Sequence, residues 1–478
     1  MPTATSTGFL KQIISDLTMK TYGYLAAILL TWGCTATVEE QSTVDKLRVS
    51  ENGRFLVHED GSPFFWLGDT GWLLFSKLTT AEADAYLQDR KDKGFNVIQA
   101  MVLHTLHAVN RYGDSALVNK NVATPNLTAQ AGSDGLGYWA FVDYVVARAA
   151  EKGLYMALVP VWGSNVKEGG VRAEQAETYA RFLGDRYKEH DNVIWLNGGD
   201  IHGNDSTAVW QTIGRTLREV DPDKLITFHP RGRTSSTDWF HGEDWLDFNM
   251  FQSGHRRYDQ DTSANEPHHY GEDNWRYVQY DYSLSPAKPT IDGEPSYEGI
   301  PQGLHDPEEP RWEDHHLRRY AYWSVFAGAF GFTYGHNSVM QMLGEADTSA
   351  DFGATELWTS AIHAPGAGQM QHLKALMLSR PFLERVPDQT LLASNGERYG
   401  YRIATRGNTY AFIYTYNGGD IHLHLGKIEG NRVSASWFNP RTGETEAIGE
   451  FANEGVHTFR APGETAEGND WVLIVDSV

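Results

Sequence analysis

From Phe64 onward, short apolar runs alternate with segments whose apolar positions return every three to four residues. The runs predict strands over Phe64–Gly68, Asn96–Leu103, Tyr155–Trp162, Val193–Leu196, Leu225–His229, Asp247–Phe251, Pro289–Asp292 and Gly331–Tyr334. The periodic segments predict helices over Thr80–Lys93, Tyr138–Lys152, Ala173–Tyr187, Thr207–Val220 and Glu313–Phe326. Gly94 and Gly153 stand just past two of them, where a helix C-cap is expected. The strand runs are apolar throughout rather than alternating, as in parallel strands covered on both faces. Eight strands alternating with helices predict a closed (β/α)₈ TIM barrel. A hairpin over Leu47–Val57, turning at Glu51-Asn52-Gly53, precedes it. Arg256–Ser285 is polar and aromatic and reads as loop-rich.

Beyond Pro381 the period changes to two. Tyr399–Ala404, Thr409–Tyr416, Ile421–Leu425, Ala435–Phe438, Thr445–Ile448, Val456–Phe459 and Trp471–Val475 are separated by turns such as Asn417-Gly418-Gly419, with no helix between them. This predicts a C-terminal all-β sandwich domain. The chain therefore divides into a leader and tether over 1–43, a catalytic barrel with its hairpin over 44–385, and the sandwich over 386–478.

Composition narrows the chemistry. With 62 acidic against 40 basic residues the net charge is -22, which repels phosphate backbones and argues against nucleic acid as a partner. Fifteen Trp and 23 Tyr suit stacking on sugar faces as well as a large core. Cys34 is the one cysteine, which excludes an internal disulfide and a cysteine zinc site. It closes the run Met19-Lys20, Tyr22–Trp32, Gly33-Cys34, which resembles a bacterial lipoprotein signal, although Thr31 stands where Leu is usual. The expectation is export, with a lipid anchor at Cys34, the polar tether Thr35–Thr43 behind it, and residues 1–18 upstream of the working start; plain secretion is the alternative.

A parallel barrel carries its chemistry at the C-terminal ends of its strands. Here these tips read Asp69-Thr70-Gly71-Trp72, His104, Trp162-Gly163, Asn197-Gly198-Gly199-Asp200, His229-Pro230-Arg231, Gln252-Ser253-Gly254-His255, Asp292-Gly293-Glu294 and Tyr334-Gly335-His336. Glycosidic bond cleavage needs two carboxyls, one protonated and one ionised across the sugar ring. Asp200 and Glu294, each behind glycine, are the candidate pair. Period two puts Asp292 on the face of Glu294, as an alternative base or a buried partner, and Glu298 is a further competitor. Trp162 or Trp195 would supply the apolar wall that raises the acid's pKa. By tip position, Asp69, Trp72, His104, Trp162, His229, Gln252, Tyr297 and His336 are candidate substrate contacts. His104-x-x-His107, His268-His269 and His315-His316 lack convincing carboxylate partners, so no metal and no cofactor are expected.

Several longer motifs carry a resemblance: Phe65-Trp66-Leu67-Gly68-Asp69-Thr70-Gly71-Trp72, Trp195-Leu196-Asn197-Gly198-Gly199-Asp200, Asp292-Gly293-Glu294-Pro295-Ser296-Tyr297-Glu298, and Ser379-Arg380-Pro381-Phe382 with Arg385–Gln389. From about Leu47 to its end the chain resembles the family 140 glycoside hydrolases, the apiosidases. Trp437-Phe438-Asn439-Pro440-Arg441-Thr442-Gly443 is similar to a companion domain labelled collagen-binding, a label from which no collagen binding is inferred. The resemblance implies a retaining hydrolase with Asp200 as acid/base and Glu294 as nucleophile. It implies cleavage of apiosidic linkages in the side chains of the pectin rhamnogalacturonan II. Retention requires carboxyls about 5–5.5 Å apart and inversion about 6.5–9.5 Å.

Two other readings are open at this point. Gly113-Asp114-Ser115-Ala116-Leu117 looks like a GDSL-type esterase motif, with Asp238-x-x-His241 as its partner, though both lie at the wrong points of the chain and no Gly-x-Ser-x-Gly is present. A non-catalytic glycan-binding lipoprotein would use the same tips without cutting. The sandwich has only Trp437 and Trp471 and reads as a brace for the barrel.

Overall fold

The computed structural model describes residues 44–128, 135–264 and 266–478, all within one compact unit; the stretch read as leader, lipidation motif at Cys34 and tether lies outside the described residues. The hairpin is β1 (Leu47–Val49), β2 (Leu56–His58) and β3 (Pro63–Phe64). The barrel strands are β4 (Trp66–Thr70), β5 (Val97–Met101), β6 (Tyr155–Val159), β7 (Val193–Ile201), β8 (Ile226–Pro230), β10 (Asn249–Gln252), β11 (Thr290–Asp292) and β12 (Gly331–Tyr334). A short β9 (Thr234–Ser235) runs antiparallel along β10. The sheet runs β8-β7-β6-β5-β4-β12-β11-β10-β9, and every pair from β8 round to β10 is parallel.

The seam between β8 and β10 is closed at its start by Asp247. Its backbone N–H donates to Ile226 O (2.9 Å), and its carboxylate accepts the Ile226 N–H (2.7 Å). Next to it Thr227 Oγ1 donates to Phe248 O at 2.6 Å. Trp66, Phe248 and Phe330 stand at or just before the starts of β4, β10 and β12, with ring centroids 5.5–6.2 Å apart. This aromatic floor fills the N-terminal end of the barrel, so a ligand can enter only among the C-terminal loops.

The helices Ala173–Tyr187 and Thr207–Val220 have the expected bounds, and Thr80–Asp92 and Asp314–Phe326 fall within a residue of theirs. Thr79 and Glu82 form a reciprocal capping box at the first turn of Thr80–Asp92. Among the described residues, besides four short helices of four or five residues, two longer ones escape the sequence reading. Trp275–Ser283 lies inside the stretch expected to be loop; its Trp-Arg-Tyr start and scattered tyrosines hide a narrow buried face of Tyr277, Val278 and Asp281. Pro365–Leu378 opens with Pro-Gly-Ala-Gly, turn-like residues that in fact use proline's fit to a helix's first position.

The sandwich comprises β13 (Val386–Pro387), β14 (Arg402–Arg406), β15 (Tyr410–Thr415), β16 (Asp420–His424), β17 (Arg432–Phe438), β18 (Thr445–Ala452), β19 (Val456–Arg460) and β20 (Trp471–Ser477). Six strands pair as β13-β14-β15-β20-β17-β18, and β16 pairs β19. Ile413, Leu423, Val433, Trp437 and Leu473 fill the space between the two sheets.

The Ser379–Gln389 motif is the joint between barrel and sandwich. Arg380 makes a two-pronged contact with Asp476 on β20 (2.7 and 2.8 Å). The buried Arg385 guanidinium donates to the carbonyls of Val325 and Ala329, where the helix Asp314–Phe326 ends. Arg318 grips Asp470 (both bonds 2.9 Å), and Trp275 stacks on Tyr401 with rings 4.3 Å apart.

Candidate active site

The last strand residues of β7 do not continue the pleat. Gly198, Gly199 and Asp200 all lie in the left-handed region (φ +95°, +106° and +46°), and the pairing with β8 slips between Gly198 and Ile201. A Cβ on Gly199 would sit 2.6 Å from the Trp162 ring, and one on Gly198 2.6 Å from the His229 carbonyl. Only glycines permit this bulge, and its outcome is that Asp200 lines the cleft. A non-glycine residue held at positive φ stores strain, which persists where the surrounding structure enforces it.

The cleft has a volume of about 390 Å³, in the range of small-ligand sites. Asp200 and Glu294 both line it, between an aromatic wall and a basic one. Trp72 and Trp162 form the first, their centroids 5.3 Å apart, each also packed against His229. Arg231, Arg233, His255 and Arg256 form the second.

The two carboxyls have opposite electrostatic settings. Burial, then the nearby Glu294 charge, pushes the Asp200 carboxyl above the usual aspartate range against the pull of Arg231 and His229. Burial also pushes Glu294 up, but His229 and His255 outweigh it and hold its carboxyl well below the ordinary glutamate value. His255 Nε2 is hydrogen-bonded to Glu294 Oε1 at 3.3 Å. His229 Nε2 lies 3.2 Å from Oε2, close enough for strong attraction though outside hydrogen-bond alignment. The segment carrying Glu294 is fixed from across the barrel interior, where Gln99 of β5 donates to the Gly293 carbonyl at 2.8 Å.

Asp292 does not share the cleft with Glu294. β11 ends at Asp292, so period-two reasoning fails at the next residue. Its carboxylate turns inward and accepts Ser253 Oγ (2.7 Å) and Asn274 Nδ2 (3.1 Å), and burial raises its pKa to about 6. Glu298 is likewise buried, accepting the Tyr334 hydroxyl (2.6 Å) and the Gly366 N–H (3.0 Å), with its carboxyl raised to about 7 chiefly by burial.

Of the eight residues chosen by tip position, Trp72, His104, Trp162, Gln252 and Tyr297 line the cleft. His229 sits behind Glu294. Asp69 is a correction: it is wholly buried, accepts the Tyr86 hydroxyl at 2.6 Å and faces Arg90 at 3.4 Å, tying the first barrel strand to the helix Thr80–Asp92. His336 is a second correction, since its Nδ1 accepts the Ser338 N–H at 3.1 Å and caps a short helix. Trp195, offered as an apolar wall, packs instead against Tyr187.

Sequence reasoning missed Arg233, Arg256 and the loop residues Leu304, His305, Gln341, Asp351 and Phe352, which also line the cleft. Arg231 and His255 stood in tips that were read, and their charge beside two carboxylates was an available signal. The later loops carry none.

Ser115 sits in a loop where it accepts a bond from Asn126, while His241 is engaged by Asn249 and the Pro286 carbonyl, so the GDSL-like residues do not meet. Among the described residues, His315, His316 and Glu467 form one group with metal-like spacing. There the Glu313 N–H donates to His316 Nδ1 (3.0 Å), so the ring proton is on Nε2, the atom facing Glu467 at 3.5 Å. A proton there opposes ligation.

A barrel with two carboxyls of opposite setting on one open cleft is the architecture of a glycoside hydrolase. The chain belongs to the apiosidase-like family: residues 50–384 match the model described as "Apiosidase-like, catalytic domain", and residues 386–476 match "Putative collagen-binding domain of a collagenase". A solved structure described as a glycoside hydrolase is 48% identical, with TM-score 0.87, over 91% of this chain and 97% of its own. A glycoside hydrolase family 5 protein from Bacteroides vulgatus ATCC 8482 is 46% identical, with TM-score 0.87, over 90% and 94%. A third structure, from the same organism, shares the fold alone at 14% identity and TM-score 0.64 over 92% and 83%. No curated protein matches the chain.

Proposed function

We propose that this glycoside hydrolase cleaves apiosidic linkages in the side chains of rhamnogalacturonan II with retention, by double displacement. Asp200 protonates the glycosidic oxygen while Glu294 attacks the anomeric carbon. Water then attacks the glycosyl-enzyme, with Asp200 returning as base. The observation that carries this reading is the split between the two carboxyls that line one cleft, Asp200 pushed above the usual aspartate range by burial and Glu294 held well below the usual glutamate range by its two histidines. His229 supports both, since it accepts the Asp200 backbone N–H on Nδ1 (3.3 Å) and so turns its Nε2 proton toward Glu294. A general acid of this kind contributes about 10²–10⁴ in rate.

The basic wall supports a pectic substrate, because pectic chains are uronides. Arg256 forms no ion pair among the described residues and donates only to the Gln260 carbonyl at 3.2 Å. In a chain of net charge -22, an unpaired guanidinium on the cleft suits a sugar carboxylate. Export, with Cys34 as lipid anchor, would set the enzyme in the cell envelope beside such polymers.

Incubation with rhamnogalacturonan II oligosaccharides, followed by proton NMR of the first product anomer, tests substrate and stereochemistry together. Release of apiose with retained configuration is expected. An inverted product would reject Glu294 as nucleophile, and release of a different sugar would reject the linkage.

A further inference from the structure

One buried carboxylate is shared between the sandwich and the loop that carries His255. Glu272 is fully buried, and its Oε2 pairs with Arg319 of the helix Asp314–Phe326. Its Oε1 accepts two bonds, from the Tyr399 hydroxyl of the sandwich (2.7 Å) and from the Tyr258 backbone N–H (3.4 Å). Tyr258 follows His255 by three residues, and His255 bonds Glu294. On its near side the loop is tied separately, the His255 carbonyl accepting the Gly303 N–H (2.7 Å) and Trp312 Nε1 (3.2 Å). On its far side Glu272 shares the work with Arg257, which donates to Gln302 (3.0 Å) and Glu309 (2.7 Å), and with Gln260, which donates to the Gln302 carbonyl (3.1 Å).

The sandwich also shapes the ion pair. The Arg319 guanidinium lies 4.9 Å from the Tyr399 ring and 4.8 Å from the Tyr416 ring, both from the sandwich. A buried ion pair is costly unless its remaining lone pairs are satisfied. Tyr399 supplies the shorter of the two bonds on Oε1, so its loss leaves that oxygen placed on this side only by the long contact with the Tyr258 N–H.

We propose that Tyr399 is a positioning residue for catalysis: through Glu272, the sandwich helps hold the segment 255–260 so that His255 stays against Glu294. The catalytic half of this statement rests on the reading of Glu294 as nucleophile. Glu294 is faced by His229, His255, Asp200 and Tyr297, and only His255 belongs to the tethered loop.

The test compares Tyr399→Phe with Tyr416→Phe in the full chain. Tyr416 touches the same guanidinium, but its hydroxyl donates to Glu467 at 3.0 Å, so its loss leaves Glu272 bonded. Amide exchange over residues 255–260, read by mass spectrometry, reports the tether without any substrate. The pH profile of kcat/KM reports its link to the site. Tyr399→Phe is expected to speed exchange in this segment about tenfold, to move the acid limb upward by about half a pH unit, and to lower kcat with KM little changed. Tyr416→Phe is expected to do none of these.

Equal exchange in the two variants would overturn the tether. Faster exchange with an unmoved acid limb would overturn its catalytic role. Should the wild type cleave no glycan, the catalytic reading fails by itself, and the exchange data still decide the tether. If Tyr399→Phe does not fold, Tyr258→Pro, which removes the N–H that Glu272 accepts and leaves the Glu272–Arg319 pair intact, is read in the same two ways.

Discussion

His229 Nε2 stands 3.2 Å from the Glu294 carboxylate, while its Nδ1 takes the backbone N–H of Asp200 at 3.3 Å. One imidazole thus fixes the backbone of the first acid and the charge of the second. The ring is fully buried beneath Trp72 and Trp162, so neither contact is exchanged for water.

Removing either carboxylate should stop turnover without unfolding the chain. Glu294→Gln is expected to lose at least 10³-fold in kcat, and Asp200→Asn about 10²–10⁴-fold. Asp200→Asn should regain much of its first step on substrates whose leaving group needs no proton, and Glu294→Gln should not. Calorimetric binding of product checks that both sites remain intact. Near-normal turnover in either variant would end the assignment.

The pH profile follows from the two directions. Glu294 is held low, so it is ionised down to strongly acidic pH, and the acid limb of kcat/KM should lie below the ordinary glutamate range. Asp200 is held high, so its proton is lost late as pH rises, and the alkaline limb should lie above the ordinary aspartate range. A broad bell displaced on both sides is expected. An alkaline limb at the unshifted aspartate value would contradict the burial argument.

Arg256→Gln should raise KM about tenfold on oligosaccharides bearing carboxylates, with kcat little changed. Chemical reduction of those carboxylates to alcohols should erase the difference between variant and wild type. A variant equally weakened on neutral and acidic substrates would show that the guanidinium only supports the loop.

Stability carries its own pH signature. Asp281 is buried under the hydroxyls of Ser235, Thr237 and Thr290, and burial outweighs them to raise its carboxyl to about 7. Between the unfolded value near 3.8 and about 7 the folded state keeps the proton and the unfolded state has released it. Stability from this group is therefore complete below the unfolded value and lost as pH rises through 7. Thermal melts should show a falling midpoint across that window, and Asp281→Asn should flatten the slope.

Arg385→Met should destabilise the chain by about 3 kcal/mol, because two buried carbonyls at the end of the helix Asp314–Phe326 lose their donor. Chemical denaturation is the measure; a change under 1 kcal/mol, on the order of one ordinary hydrogen bond, would mean that water replaces the guanidinium.

The strands and main helices were legible because burial on both faces of a parallel sheet leaves unbroken apolar runs, and amphipathic helices keep their period. Asp200 and Glu294 were legible as carboxyls at the tips of β7 and β11, and both line the cleft. What a tip residue does is set by the next turn of backbone. Asp69 and Asp200 both follow apolar strands, yet Asp69 stays in register and is consumed by Tyr86 and Arg90, whereas two glycines in front of Asp200 break the register. Leu304, Gln341 and Phe352 reach the cleft from long loops, where no periodicity constrains a reading.

The bond from Gln99 to the Gly293 carbonyl crosses the inside of the barrel, and it separates two kinds of evolutionary freedom. The reach between Glu294 and its counterpart is inherited from the girth of the sheet and from a glycine bulge, neither of which a surface insertion alters. The rim of the cleft, at Leu304, His305, Gln341, Asp351 and Phe352, hangs on connections outside the barrel strands. Exchanging these outer loops therefore leaves the placement of Asp200 and Glu294 untouched.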